Sequence, residues 1–324
     1  MPFLNTFLDA LINPILDASI YFSFDQRGYL RHQKSYFDPH DLEKDLSNLN
    51  ILITGANNGL GYETAKQLAH MKANLFLVCR NPEKSEKPYQ EIKKIQPNTT
   101  LIIADMSDLE SIRKIQLDQK IDCLVQNAGL MPETYQVSKQ GYEICLATHI
   151  LGPLTLIDHL KHKNLFSQKP RIIFVSSGGG YTKKLDIHQI FEPSQSDYDG
   201  MQAYAYTKRA QMILSEMINQ KNPEKIESFV CHPGWADTPG VRTSMPKFFE
   251  KTKENLRNLQ SGADTIVYLA SQTKEKQATS GVWFDRKIRS YYLLPFTKES
   301  SQDREKFWQK LNEILDLSHL HYPI

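Results

Sequence analysis

Residues 49–61 read LNILITGANNGLG, and residues 62–68 continue as YETAKQL. An apolar run stops at a glycine-rich turn and a helical pattern follows, which is the strand–turn–helix order that places a phosphate at a helix N-terminus. Gly55 lets the strand reverse, Gly59 lets the backbone approach a pyrophosphate, and Gly61 lets the helix lie close to the sheet. The stretch predicts a dinucleotide-binding turn, although a plain tight turn between two elements has a similar pattern.

The composition bounds the fold and its partners. The 324 residues suffice for one large α/β domain with extensions, and 39 Lys and Arg against 37 Asp and Glu argue against a nucleic-acid partner. The four cysteines are scattered without a C-x-x-C pair, which predicts buried, reduced thiols and a cytoplasmic location. Two histidines near the C-terminus have no further ligand at a metal-site spacing, so we assign no metal site.

The N-terminal residues 1–24 are apolar at helical spacing but are interrupted by polar residues. No unbroken apolar run approaches the roughly 20 residues of a membrane span, and the basic region of a signal peptide is missing before Arg27. We expect an amphipathic helix docked on the protein's own body or on a partner subunit, with peripheral membrane contact as the alternative. Asp38 and Pro39 predict the cap and first turn of a short helix over residues 40–45.

From residue 51 onward the chain alternates strand and helix patterns. Further apolar strands are predicted at residues 74–79, 100–104, 121–126, 171–175, 226–231 and 282–284. Strands that are apolar on both faces, with helical crossovers between them, indicate an α/β fold with a doubly wound parallel sheet, Rossmann-like and three-layered. We therefore predict a helical extension over residues 1–48 and a single domain over residues 49–324.

Residues at the ends of the second and third strands suggest the nucleotide. Arg80 stands where an acidic residue would hold a ribose 2′-hydroxyl, and an arginine there pairs instead with a 2′-phosphate. This predicts NADP(H) in preference to NAD(H), with an ordinary surface arginine as the alternative. Asp105, followed by Met106, is placed to meet the adenine; its alternative role is a helix N-cap, which Ser107 or Asp108 could equally fill.

The fourth strand ends in Asn127-Ala128-Gly129. Small residues at this point leave room for a cofactor beside the sheet. Asn127 can also tie adjacent strands together through its side-chain amide, so its structural and functional roles overlap.

The fifth strand leads into Ser176-Ser177, and further on Tyr204 and Lys208 stand four residues apart. On a helix, residues at this spacing share one face. A free tyrosine has a pKa of about 10, and a lysine ammonium one turn away, like an oxidised nicotinamide, favours its phenolate. The pair can then take a proton from an alcohol or give one to a carbonyl.

Taken in order, these motifs resemble those of the short-chain dehydrogenase/reductase family over residues 50–284. The resemblance rests on motifs that occur in the family's order: Thr54-Gly-x-x-x-Gly59-x-Gly61, Asn127-Ala-Gly129, Ser177, Tyr204-x-x-x-Lys208 and Pro233-Gly234. It implies the fold predicted above, a nicotinamide cofactor, and a dimer or tetramer formed through the helices that hold Gly152 and Tyr204.

The resemblance also implies roles for single residues. Tyr204 would be the acid/base, Lys208 would lower its pKa and hold the ribose hydroxyls, and Ser177, with Ser176 as the substitute candidate, would hydrogen-bond the substrate oxygen. Thr238 would hold the carboxamide or the diphosphate. The expected cofactor-binding residues are Thr54, Gly55, Asn57, Asn58, Gly59, Leu60, Gly61, Arg80, Asp105, Met106, Asn127, Ala128, Gly129, Tyr204, Lys208, Pro233, Gly234, Trp235 and Thr238.

One position departs from the family pattern. The family usually places an asparagine three residues before the glycine of the following helix, where it supports a water in a proton relay; here that glycine is Gly152 and the position is His149. His149 could hold the same water or titrate near neutral pH itself. Alternatively the relay is impaired, or the histidine is simply satisfied between helices.

Residues 239–258 lie where the family caps its substrate site. Met245, Phe248 and Phe249 alternate loosely with lysines, which suggests an apolar or bulky substrate or, equally, the packed interior of the lid. The sequence as a whole predicts an NADP(H)-dependent oxidoreductase that acts on a carbonyl or secondary alcohol. A low-turnover NADP-binding sensor or scaffold is the alternative, and a sugar-nucleotide epimerase is disfavoured because its shorter G-x-x-G-x-x-G spacing is absent.

Overall fold

The computed structural model describes residues 20–221, 226–272 and 280–315. These residues form one eight-stranded sheet in the order β3-β2-β1-β4-β5-β6-β7-β8. The strands are β1 Asn50–Thr54, β2 Asn74–Cys79, β3 Thr99–Ile103, β4 Ile121–Gln126, β5 Phe166–Val175, β6 Glu227–Cys231, β7 Val282–Phe284 and β8 Lys287–Arg289. All neighbouring pairs are parallel except β7 and β8. The predicted doubly wound parallel sheet is confirmed.

Helices cover both faces of this sheet. Their bounds are α1 Ile20–Phe24, α2 Gln26–Tyr36, α3 Gly59–His70, α4 Pro82–Ile95, α5 Leu109–Arg113, α6 Ile144–Leu146, α7 Gly152–His162, α8 Ile187–Phe191, α9 Gly200–Lys221, α10 Pro239–Ser244, α11 Pro246–Thr252, α12 Leu259–Ser271 and α13 Ser301–Leu315. A π-helical turn, Ala147–Leu151, joins α6 to α7. Successive residues of β1 pack into two hydrophobic clusters, one on each face of the sheet: Leu52 lies in one, and Ile51 and Ile53 lie in the other. Burial on both faces explains the continuous apolar strands of the sequence.

Strand β8 is missing from the sequence-based prediction. It is three residues long and turns back on β7 through Asp285 and Arg286, whose φ angles are +48° and +56°. Left-handed φ at both central residues is typical of the tight hairpin turns that match the twist of antiparallel strands. The sequence lacks the glycine or asparagine that usually signals such a turn, which is why the hairpin escaped prediction.

The described end of the N-terminal extension lies against the body of the protein. Arg257 donates hydrogen bonds to the carbonyl oxygens of Ser23, Phe24 and Asp25, and Asp25 in turn caps α2. Residues 1–19 of the predicted amphipathic helix lie outside the described part. The short helix predicted over residues 40–45 is a 3-10 turn, Pro39–Leu42, capped by Asp38.

Two further sequence expectations concern the core and the membrane. All four cysteines are buried and unpaired, as predicted. Within residues 20–221, 226–272 and 280–315, no helix combines the length and the apolar character needed to cross a bilayer.

Candidate active site

The glycine-rich turn forms a backbone cradle at the start of α3. Gly55 and Gly59 have φ angles of +69° and +56°, a region that favours glycine. A Cβ on Gly61 would collide with the carbonyl oxygen of Gly55 and the side-chain amide of Asn127. Asn58 precedes α3 without capping it through its side chain, so the first helical amides are not occupied by that residue. The cradle therefore fits a dinucleotide diphosphate at a helix N-terminus.

The ends of β1 and β4 are locked together beside this turn. Thr54 Oγ1 accepts hydrogen bonds from the backbone amides of Asn127 and Ala128, both at 3.0 Å. Asn127 Nδ2 donates to the carbonyl oxygens of Thr54 at 3.0 Å and Gly55 at 3.2 Å. The structural role predicted for Asn127 is confirmed. These strands lie where the strand order reverses, which is the crevice that binds ligands in open α/β sheets.

Arg80 and Asp105 follow the carboxyl ends of β2 and β3. Arg80 directly follows β2 and is exposed. Asp105 accepts hydrogen bonds from the amide and the hydroxyl of Ser107, both at 2.8 Å. Asp108 supplies the N-cap of α5, so the alternative that Asp105 caps this helix is wrong. Met106 is buried, and its carbonyl oxygen lies against Gly152, where a Cβ would collide with it.

Tyr204 and Lys208 share one face of α9 next to the end of β5. The Lys208 Nζ lies 5.4 Å from the centre of the Tyr204 ring. It is buried and donates to the carbonyl oxygen of Val175 at 2.8 Å and to Gln211 Oε1 at 3.1 Å. Burial lowers the pKa of the Lys208 ammonium to about 8, because the charged form is poorly solvated.

The acidity of Tyr204 differs from the sequence expectation. Burial raises the pKa of Tyr204 to about 12, and a hydrogen bond with Ser177 opposes that rise. The predicted lowering by Lys208 is not seen: burial is the largest influence on this pKa, followed by the hydrogen bond with Ser177 and the electrostatic influence of Cys145. A tyrosine with this pKa is protonated near neutral pH and is therefore set up as a proton donor.

The structure separates the two candidate serines. Ser176 is 2% exposed, and its hydroxyl donates to the carbonyl oxygen of Lys208 at 2.8 Å. Ser177 caps the 3-10 turn Gly178–Thr182 by accepting from the amide of Gly179 at 3.2 Å, and its side chain acts to lower the pKa of Tyr204. Ser176 therefore braces the helix, whereas Ser177 stands beside the acid/base candidate.

His149 is hydrogen-bonded through both ring nitrogens, which matches the alternative of a histidine satisfied between helices. Its Nδ1 pairs with Thr207 Oγ1 at 2.8 Å, and its Nε2 accepts from the backbone amide of Leu130 at 3.1 Å. Both ring nitrogens are engaged, so the imidazole has no position left for a relay water. Burial and the charge of Lys208 hold the pKa of His149 well below its ordinary value, which favours the neutral imidazole.

The loop after β6 carries the predicted residues Pro233, Gly234 and Trp235. Gly234 has φ +75°, and a Cβ there would collide with the guanidinium of Arg257. The Trp235 amide donates to the carbonyl oxygen of Phe24 at 2.7 Å. The N-terminal extension therefore helps to fix this loop.

The predicted lid corresponds to α10 and α11. Thr238 caps α10, and a Cβ built on Gly59 would lie 3.8 Å from its Cβ, so Thr238 faces the glycine turn. Phe248 on α11 packs edge-on against Trp235 at a ring separation of 5.2 Å. Phe248 is half-buried, so it is partly packed within the lid and partly open to its surroundings.

Sequence reasoning missed three residues beside this site. Arg257 and Asp285 form a buried ion pair at 2.5 and 2.9 Å, each side chain 1% exposed. No local sequence pattern predicts this ion pair. Gln211 contacts Lys208, and its position three residues further along the same helix could have indicated a shared face.

Known proteins resemble this chain in sequence and in fold. Residues 49–190 match the profile of the family described as short chain dehydrogenase. The chain is similar to dehydrogenase/reductase SDR family member 12 of Homo sapiens, with 36% identity over 86% of this chain and 89% of that protein. It is also similar to retinol dehydrogenase 11 of Homo sapiens, with 29% identity over 68% of this chain and 72% of that protein.

Among solved structures, a short-chain dehydrogenase from Sphingobium yanoikuyae in complex with NADPH matches with a TM-score of 0.52 and 19% identity. The match covers 68% of this chain and 83% of that one. At this level of identity the likeness concerns the fold.

Proposed function

This chain belongs to the short-chain dehydrogenase/reductase family, and on that premise we propose that it is an NADP(H)-dependent oxidoreductase acting on a carbonyl or secondary alcohol. The observation that carries the proposal is the convergence of Ser177, Tyr204 and Lys208 at the end of β5, next to a backbone cradle that fits a diphosphate.

The chemistry divides between cofactor and protein. When bound, the nicotinamide supplies or accepts the hydride. In the reducing direction, Tyr204 donates its proton to the substrate oxygen while the Ser177 hydroxyl polarises that oxygen. In the oxidising direction the same hydroxyl of Tyr204 takes up the proton, so its pKa must fall from about 12 when the site is loaded. Positive charge next to the phenol has this effect.

The preference for NADP(H) is proposed from Arg80. Its side chain is exposed directly after β2, where a 2′-phosphate would lie. A guanidinium pairs with a phosphate through two parallel hydrogen bonds, which a ribose hydroxyl cannot accept in the same way. Thr238, which lies close to Gly59, and the amides at the start of α3 would hold the diphosphate.

An apolar substrate is proposed from the lid. Phe248 and Trp235 form an aromatic contact between α11 and the loop after β6. The similarity to a protein named retinol dehydrogenase supports an apolar alcohol or carbonyl as the substrate class.

Calorimetric titration with NADPH and then NADH tests the cofactor without any knowledge of the substrate. We expect NADPH to bind at least about tenfold more tightly than NADH, since one charged contact contributes roughly 1.5–3 kcal/mol. R80A should bring the two affinities together. Binding of neither nucleotide would overturn the proposal, and equal affinities in the wild type would remove Arg80 from the 2′-phosphate.

A panel of apolar ketones, aldehydes and secondary alcohols then tests turnover. Y204F keeps the ring and removes the hydroxyl, so it should abolish turnover while NADPH affinity is retained. Substantial residual activity in Y204F would refute the role of Tyr204.

A low-turnover NADP-binding sensor is the second candidate. The raised pKa of Tyr204 favours it, because a tyrosine that stays protonated is a poor base. Tight NADPH binding with no turnover across the panel in either direction would select this candidate.

The proposal extends to the oligomeric state and the location. Family resemblance suggests a dimer or tetramer through α7 and α9, which a light-scattering mass of one chain would refute. The four unpaired cysteines suit a reducing compartment such as the cytoplasm, which a fluorescent fusion would test.

A further inference from the structure

Gln211 forms a bridge between Lys208 and the backbone of the π-helical turn. Its side chain is 1% exposed. Oε1 accepts a hydrogen bond from Lys208 Nζ at 3.1 Å, and Nε2 donates one to the carbonyl oxygen of His149 at 2.9 Å. One amide group therefore joins the ammonium on α9 to a peptide carbonyl 62 positions earlier in the chain.

The chemistry of the two partners selects an amide at this position. An ammonium only donates hydrogen bonds and a carbonyl only accepts them, so a bridging group must offer an acceptor at one end and a donor at the other. This requirement also fixes the orientation of the Gln211 amide, with its oxygen towards Lys208. A carboxylate would lose the contact with the carbonyl, and an apolar side chain would lose both contacts.

The bridge matters because Lys208 is buried among few polar partners. Its other protein acceptor is the carbonyl oxygen of Val175 at 2.8 Å. The titratable groups around the ammonium in the described part of the chain are Cys145, Cys231, His149 and Tyr204. The two thiols and the tyrosine have raised pKa values and His149 a lowered one, so all four are neutral near pH 7. The charge of Lys208 is thus held by neutral dipoles, one of which is Gln211.

The bridge also occupies the backbone carbonyl oxygen of His149, which accepts the hydrogen bond from Gln211 Nε2. A side-chain amide neither gains nor loses a proton near neutral pH, so this contact anchors the ammonium without passing protons along it. Lys208 donates two hydrogen bonds, to Val175 and to Gln211, which leaves its third N–H for the cofactor ribose.

We propose that Gln211 is a positioning residue of the active site, which fixes the Lys208 ammonium below the Tyr204 ring by bridging it to the His149 carbonyl. The inference deepens the proposed oxidoreductase function and rests on it for its catalytic meaning. The bridge itself can be tested independently of turnover.

Two variants of similar length distinguish the bridge from simple packing. Q211M keeps the volume and removes both hydrogen bonds, whereas Q211E places a negative charge beside the ammonium. The readout is the pKa of Lys208, measured by NMR on protein labelled with 13Cε-lysine and assigned with K208R. Because a lost acceptor disfavours the ammonium and a carboxylate favours it, Q211M should lower this pKa and Q211E raise it, each by about one unit.

Q202E is the matched control, because Gln202 lies exposed near the start of the same helix; it should leave the Lys208 pKa unchanged. If Q211M does not fold, Q211E tests the proposal by itself, because the proposal requires that Q211E raises the pKa of Lys208. A Lys208 pKa that is the same in the wild type and in either folded variant overturns the proposal.

Kinetics then test the catalytic meaning on a substrate found with the panel. Q211M should lower kcat at least about tenfold, with NADPH affinity changed less than about threefold, because misplacement of a catalytic group acts mainly on the chemical step. The alkaline limb of the rate should move to higher pH in Q211E and to lower pH in Q211M. Equal pH profiles for all three proteins would refute the positioning role. Absence of turnover in the wild type would instead count against the proposed oxidoreductase, while the NMR titration would still decide the bridge.

Discussion

We predict that the free energy of unfolding of Lys208→Met, minus that of the wild type, increases as the pH falls. Lys208 is 3% exposed in the wild type, and burial lowers the pKa of its ammonium from 10.5 to about 8. A lowered lysine pKa means that the folded state favours the neutral amine. Its contribution to stability is therefore fully present above pH 10.5 and is lost as the pH falls through about 8.

The magnitude follows from the two pKa values. One pKa unit corresponds to about 1.4 kcal/mol, so the penalty for burying the ammonium is about 1.4 kcal/mol near pH 9.5 and about 3.4 kcal/mol near pH 6. The free energy of unfolding of Lys208→Met, minus that of the wild type, should then increase by about 2 kcal/mol between those two pH values. Lost hydrogen bonds to Val175 and Gln211 add a constant offset, which the pH dependence removes.

Urea unfolding followed by tryptophan fluorescence at several pH values measures this difference. Lys94→Met is the control, because Lys94 is exposed on α4, and its difference from the wild type should stay flat. A flat difference for Lys208→Met as well would refute the reasoning, since it would show that the ammonium is not desolvated in the folded protein.

Three further predictions concern neighbouring residues. Ser177→Ala should lower kcat about a hundredfold and change the free energy of unfolding by less than about 0.5 kcal/mol. Ser176→Ala should lower the free energy of unfolding by about 1 kcal/mol in urea unfolding. Equal effects of the two variants on kcat would contradict the division of roles. Arg257→Met should cost about 3–5 kcal/mol in the same unfolding experiment, because it leaves the buried Asp285 carboxylate without its main partner; a loss below about 1 kcal/mol would contradict the importance of the pair. Gly61→Ala should weaken NADPH binding at least about tenfold in calorimetry, because its methyl group collides with the backbone of the glycine turn, and unchanged affinity would remove this turn from the binding site.

Local patterns determined most of the fold. The strands predicted at residues 74–79, 121–126 and 282–284 agree with β2, β4 and β7, because strands buried on both faces leave a continuous apolar run. β5 begins at Phe166 rather than at residue 171, since its first residues are partly polar. The short hairpin strand β8 left no such signal.

The sequence by itself determined the glycine turn, the alternation of strands and helices, and the shared face of Tyr204 and Lys208. Each depends on spacing along a single element, which is fixed by helix and strand geometry. Only the tertiary structure decided that His149 is a satisfied packing residue, that Ser176 braces α9, and that the pKa of Tyr204 is raised.

The long-range contacts show the same limit. Gln211 meets His149 across 62 positions, and His32 reaches Asp285 across 253. Such partners become neighbours only once the sheet has assembled. Burial and hydrogen bonding, which set the charge states in this site, depend on that assembly and leave no trace in local sequence.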